Sequence, residues 1–232
     1  TMAVDVLHSE RRSEGIGYYG LSNNIAMAIG PSAGLYIYHT IHNFNLLFTL
    51  SLVIAFIGLA IDSTIHCRDR QPIRKESKIS LDRFILLKGW SAGLCVAAFA
   101  FSFGVISTYI AIYSQEVLHI TSGSGTFFML LAAGLILSRL MGSKSLREGK
   151  IVQNASAGMV MSLCGYLVFT AVPNLYGYYA AALMIGLGNG HMYPAMQTMF
   201  INLAPHERRG TANSTILTSW DLGVGIGIIG GG

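Results

Sequence analysis

The chain has 232 residues and a formal net charge of +4; 52% of its residues are hydrophobic and only 11% are charged. Soluble domains carry roughly 25% charged residues, so charge this sparse does not clothe a water-exposed surface of such a size. The apolar residues also run in long unbroken stretches rather than short helical or alternating patterns, which excludes an ordinary soluble fold and predicts an all-α integral membrane protein.

About 20 mostly apolar residues cross a hydrocarbon core of roughly 30 Å. Seven such stretches follow one another, near residues 15–38, 44–65, 89–114, 124–141, 151–172, 176–202 and 210–231. Several are rich in Gly, Ala and Ser, which suits helices that pack closely in lipid. Lys and Arg fall in every second connection: Arg11 and Arg12, the block from Arg68 to Lys88, then Arg139, Lys144, Arg147 and Lys150, and last Arg208 and Arg209. The connections between them, around 39–43, 115–123 and 173–176, have none and are fringed by Tyr36, Tyr38, Tyr113, Tyr176, Tyr178 and Tyr179. Positive charge stays on the cytoplasmic side and aromatic rings mark the interface, so the basic loops are expected inside and the tyrosine-rich loops outside a plasma (inner) membrane. With the native cysteines replaced, cysteines engineered near Asn43 and Ser122 should react with a membrane-impermeant reagent from outside. Those near Lys78 and Lys144 should react only after permeabilisation; the reverse pattern overturns the orientation.

The net charge thus reflects topology, and no basic stripe interleaved with stacking aromatics points to nucleic acid. Cys67, Cys95 and Cys164 show neither a disulfide framework nor a metal spacing, and His39 with His42 supplies two ligands alone, so no metal or other cofactor is expected. Gly225-Ile-Gly-Ile-Ile-Gly230 formally fits a dinucleotide-binding pattern, but it lacks the preceding strand and the acidic residue downstream. Close helix packing is the better reading of those glycines.

Residues 1–35 match residues 198–232 at a constant offset of 197, with nine identities that include Glu10-Arg11-Arg12 with Glu207-Arg208-Arg209 and Gly30 with Gly227. Chance would give roughly two from average residue usage. Each copy is a cytoplasmic turn leading into a Gly-rich helix, the pattern of a transporter built from two equivalent halves. Such a repeat, with a start at Thr1 and a stop at Gly232 within a span, predicts a longer parent chain.

In their order and spacing these segments resemble the major facilitator superfamily. Glu10-Arg11-Arg12 followed by Gly30-Pro31-Ser32-Ala33-Gly34 looks like that family's entry into its fifth helix, with the Gly-Pro-x-x-Gly motif of antiporters. Gly142-Ser-Lys-Ser-Leu-Arg147-Glu-Gly149-Lys150 is similar to its Gly-x-x-x-Asp-Arg-x-Gly-Arg loop, with Leu146 in place of the Asp. Gly186-Leu-Gly-Asn-Gly-His-Met-Tyr-Pro194 and Asp221-Leu-Gly223 resemble its tenth and eleventh helices. The resemblance implies a helical bundle of two pseudo-symmetric halves, incomplete at both ends. Residues 1–65 would then end the N-terminal half with the close of helix 4 and helices 5 and 6, 66–88 would form a cytoplasmic linker, and 89–232 would hold helices 7–11 of the C-terminal half. It also implies secondary active transport of a small solute by alternating access, leaning toward proton-coupled efflux, with Gly30, Pro31, Gly34, Arg139, Gly142, Arg147 and Gly149 as motif and gating positions.

A charge at mid-bilayer costs at least about 2.5 kcal/mol on insertion scales, which makes an intramembrane ionisable residue a candidate for function. Asp221 lies fifteen residues past His206, about 22 Å of helical path, and so near the middle of its span. Asn24 occupies the repeat-equivalent position, and His191 lies fifteen residues before His206, at a similar depth. Asp221, His191 and Asn24 are therefore the candidates for proton coupling, histidine being the side chain that ordinarily titrates near physiological pH. Tyr109, Tyr113, Asn189, Tyr193, Gln197 and Trp220 are candidates to line a substrate cavity. Competing readings are a nutrient uptake symporter, a seven-span receptor and an intramembrane enzyme. A receptor needs its N-terminus outside, whereas Arg11 and Arg12 place this one inside; an enzyme needs a Ser/His, His/Glu or paired-Asp constellation, and none is spaced for it.

Overall fold

The structure, a computed structural model, describes residues 22, 26, 29–30, 32–38, 40–64, 85–120, 123–205 and 208–232, with the side chains of 143, 144, 146 and 147 left aside. Asn24, Pro31, His39, Cys67, His206 and most of the expected linker lie outside the described residues. Helical residues between 29 and 41 lead into α1 (Phe44–Ser63), followed by α2 (Trp90–Glu116), α3 (Gly123–Arg147), α4 (Ile151–Ala171), α5 (Leu175–Leu203) and α6 (Arg209–Gly231). At 20 residues or more each is long enough to span a bilayer.

The connections form where the sequence supplies turn chemistry. His42 takes a left-handed φ of 52°, and the Asn43 side-chain oxygen then accepts from the Asn45 and Leu46 amides to start α1. Asn174 caps α5 in the same way through the Gly177 amide. Gly149, with φ at 78°, makes the reversal between α3 and α4, a conformation that an L side chain resists. The approach to α2 is tied across the bundle, where the Leu86 amide donates to the Thr215 hydroxyl of α6 at 2.9 Å.

Helix α5 runs between α3 and α4, α2 runs along α6, and the two groups meet where α5 touches α6. Glycines set the close contacts. Gly186 lies against the Leu131 backbone and Gly190 against Ser138 of α3, whereas Gly188 and Gly158 bring α5 and α4 backbone to backbone. Gly223 and Gly227 lie likewise against the Ala97 and Phe101 carbonyls of α2, so the formal dinucleotide pattern sits in a helix-packing seam. One core cluster joins Leu86, Val96, Met192, Met196, Phe200 and Ile216; a second joins Phe103, Ile110, Phe127, Leu131, Tyr178 and Ile185.

The outer surface is apolar. No residue of α1 is buried, and Val160, Leu163 and Leu167 of α4 and Leu94 and Ile112 of α2 also face outward. Among the described residues, four segments are long and apolar enough by themselves to cross a membrane: Phe44–Ser63, Leu87–Glu116, Gly123–Gly142 and Ile151–Ala171. The other two helices are as long but more polar, since α5 carries Asn189, His191, Tyr193 and Gln197, and α6 carries Asn213, Thr215, Ser219 and Asp221. Intramembrane polar groups concentrate on helices that face other protein or a cavity.

Candidate functional site around Tyr193

Residues two apart on a helix point about 200° apart, which divides the polar residues of α5 between two faces. His191 is buried on the face toward α3 and α4. Its Nδ1 lies 2.9 Å from the Leu187 carbonyl, an acceptor only, so this nitrogen carries the proton. The far edge of the ring lies over Gly142, where an added Cβ would come within 3.0 Å of His191 Cδ2 and 3.4 Å of Asn154 Oδ1. Asn154 in turn donates to the His191 carbonyl at 3.1 Å, closing a junction of α3, α4 and α5. The depth argument paired His191 with Asp221, yet no hydrogen bond or ion pair joins them among the described residues.

The opposite face carries Asn189, Tyr193 and Gln197, spaced four apart and so aligned in one stripe. Tyr193 stands edge-on to Trp220 of α6, with ring centroids 5.5 Å apart, and Trp220 also meets Phe103 at 5.5 Å and Phe99 at 6.4 Å. Trp220 packs against both core clusters and marks the level at which they meet. The next residue, Asp221, is exposed, makes no hydrogen bond among the described residues and lies within electrostatic reach of the Tyr193 hydroxyl. Arg139 of α3 also lies within electrostatic reach of that hydroxyl, and its Nε is buried without a hydrogen-bond partner. The Oδ1 of buried Asn189 is also unpartnered, while Gln197 donates to Asn213 of α6 at 3.1 Å. An acid on α6 and a guanidinium on α3 thus each lie within electrostatic reach of one phenol on α5, whose ring packs on Trp220.

Arg139 lies within the expected stretch 124–141 and within the apolar segment Gly123–Gly142, three residues from its end and eight before α3 ends. Two expected cavity residues pack elsewhere. Tyr113 lies among Phe169, at 4.9 Å, and Tyr178 in an aromatic cluster, and the Tyr109 hydroxyl donates to the Ile228 carbonyl at 2.7 Å, tying α2 to the end of α6. Of the antiporter-like motif, Gly30 and Gly34 lie on the helical segment whose Ser32 hydroxyl donates to the Gly125 carbonyl of α3 at 3.2 Å. Arg147 closes α3. Phe99 and Phe103 escaped the sequence reading, because aromatic residues within apolar runs look the same whether they face a cavity, a neighbour or lipid.

The model of the Major Facilitator Superfamily matches residues 1–228. The chain belongs to the Major Facilitator Superfamily. Members of this superfamily are multi-pass helical membrane transporters, in agreement with the helical bundle and its apolar exterior. Among curated superfamily relatives, the "Staphylopine export protein" of Staphylococcus aureus (strain Mu50 / ATCC 700699) is 21% identical over 97% of this chain and 59% of its own length. The "Uncharacterized MFS-type transporter YhhS" of Escherichia coli (strain K12) is 22% identical over 96% and 53%, and YceJ of Bacillus subtilis (strain 168) 24% identical over 92% and 55%. The chain therefore spans a little over half the length of these superfamily relatives.

Removing the Tyr193 hydroxyl tests whether the cluster acts as a unit. Tyr193→Phe keeps the ring that packs on Trp220 but removes the group between Asp221 and Arg139. In the complete transporter it should leave expression and thermal stability near wild type while lowering the transport rate about tenfold, the scale of roughly 1.4 kcal/mol in a rate-limiting barrier. An unchanged rate would make Tyr193 a packing residue.

Proposed function

We propose that the whole protein is a secondary active transporter that moves a small solute outward through an inner membrane in exchange for protons. Residues 1–65 close its first half, 66–88 form the cytoplasmic linker, and 89–232 contribute helices to the second half. The observation that carries this reading is the carboxylate of Asp221, exposed and unpaired among the described residues and next in the chain to Trp220, which packs against both core clusters. A carboxylate kept at such a depth without a partner has a favourable use if it binds and releases a proton as the two halves alternate. Tyr193 and Arg139 give that proton a polar setting, and Trp220 with Phe99 and Phe103 gives a solute an apolar wall. The outward direction is supported by the antiporter-like Gly30-Pro-x-x-Gly34 motif and by the export named for the staphylococcal relative.

The test is accumulation in inverted membrane vesicles bearing the complete transporter. Solute should concentrate inside when the lumen is acid and leak out when a protonophore collapses the gradient. Accumulation driven instead by an alkaline lumen would make the protein an uptake symporter, and equilibration without concentration would make it a facilitator.

A further inference from the structure

The guanidinium of Arg139 is not accounted for by proton exchange at Asp221. It lies three residues from the end of the apolar segment Gly123–Gly142, its Nε is buried without a hydrogen bond, and it makes no ion pair among the described residues. An intramembrane arginine is expensive, and a buried N–H left without an acceptor adds a further cost. Asp221 would be the obvious partner, yet the two flank Tyr193 without forming a salt bridge. Arg139 is thus held within electrostatic reach of Tyr193, with its Nε–H unused.

An arginine fork matches a carboxylate or a similarly compact planar anion through two parallel hydrogen bonds. Tyr193 in turn stands edge-on to Trp220, which meets Phe99 and Phe103, so the neighbouring surface is aromatic. From this we infer that Arg139 is the anion-recognising group of the transport site, so that the solute is a carboxylate carried on an apolar or aromatic body. The inference rests on the transport reading above and names its substrate class. The solute's carboxylate takes the Arg139 donors while its body lies along Trp220, which leaves Asp221 for the proton. It also separates the role of Arg139 from that of a cytoplasmic gate.

The probes are a series of aromatic carboxylates, 3-phenylpropionate and 3-indolepropionate among them, each paired with its uncharged carboxamide. Binding to the purified complete transporter in nanodiscs is read as a rise in thermal unfolding temperature. Acids should stabilise the wild type and amides should not. Arg139→Gln should erase that difference, and Arg139→Lys, which keeps the charge but loses the fork, should retain part of it. Lysine is also the control should the glutamine variant fail to fold. Equal stabilisation by acids and amides, stabilisation by neither, or acid selectivity undiminished in Arg139→Lys and Arg139→Gln overturns the inference. Asp221→Asn measured in parallel keeps the two readings apart, because loss of proton-driven transport there alongside an absence of acid selectivity sinks only the Arg139 role. Acid selectivity that depends on Arg139, with proton coupling intact in Asp221→Asn, sinks only the coupling role.

Discussion

Gly186→Val in the complete transporter is expected to reduce the yield of folded protein sharply and to lower its unfolding temperature by several degrees. The reason lies in what a side chain would meet. A Cβ on Gly186 would lie 3.0 Å from the Leu131 Cα and closer still to the Leu131 carbonyl oxygen. Backbone atoms in the middle of a helix do not rotate aside, so α3 and α5 must separate along their shared seam. Overpacking of this kind costs about 1–3 kcal/mol, and valine adds two methyl groups beyond the Cβ. Gly225→Val is the matched control, since a Cβ there meets nothing within 4 Å and its cost should stay within about 0.5 kcal/mol. Equal losses at both positions, measured by thermal unfolding in detergent, would remove the packing account of the glycines.

Asp221→Asn is expected to abolish proton-driven transport while leaving solute binding and passive exchange in place. Asparagine keeps the size and hydrogen-bonding capacity of the side chain but neither takes up nor releases a proton. Asp221 makes no hydrogen bond among the described residues, so the substitution breaks no visible structural contact. Expression and unfolding temperature should therefore remain near wild type. His191→Gln should behave differently. His191 is packed over Gly142 and bonded to the Leu187 carbonyl, and its loss should disturb the α3–α4–α5 junction and lower stability without uncoupling transport. Intact proton coupling in Asp221→Asn would make Asp221 a polar surface group of α6.

The span boundaries were legible because bilayer thickness fixes helix length. The stretches expected at 151–172 and 176–202 correspond to Ile151–Ala171 and Leu175–Leu203. The mixed polarity of α5 and α6 was also visible in the chain, and it marks the helices that face protein rather than lipid. What the sequence does not encode legibly is azimuth. Depth alone placed His191 with Asp221, but a two-residue step turns His191 toward α3 and α4 and leaves Tyr193 as the neighbour of Asp221. The aromatic wall joins Phe99 and Phe103 to Trp220 from helices far apart in the chain, through packing that no local pattern records.

The most direct measurement of the central claim is proton movement upon addition of solute to proteoliposomes that contain the complete transporter. A pH-sensitive dye is trapped in an acidic lumen, and solute is added outside. Exchange of solute for protons through Asp221 predicts that solute entry makes the wild-type lumen more alkaline, and that solute added to Asp221→Asn vesicles leaves the dye signal unchanged. Solute entry into wild-type vesicles without proton release, or proton release that persists in Asp221→Asn, would contradict it.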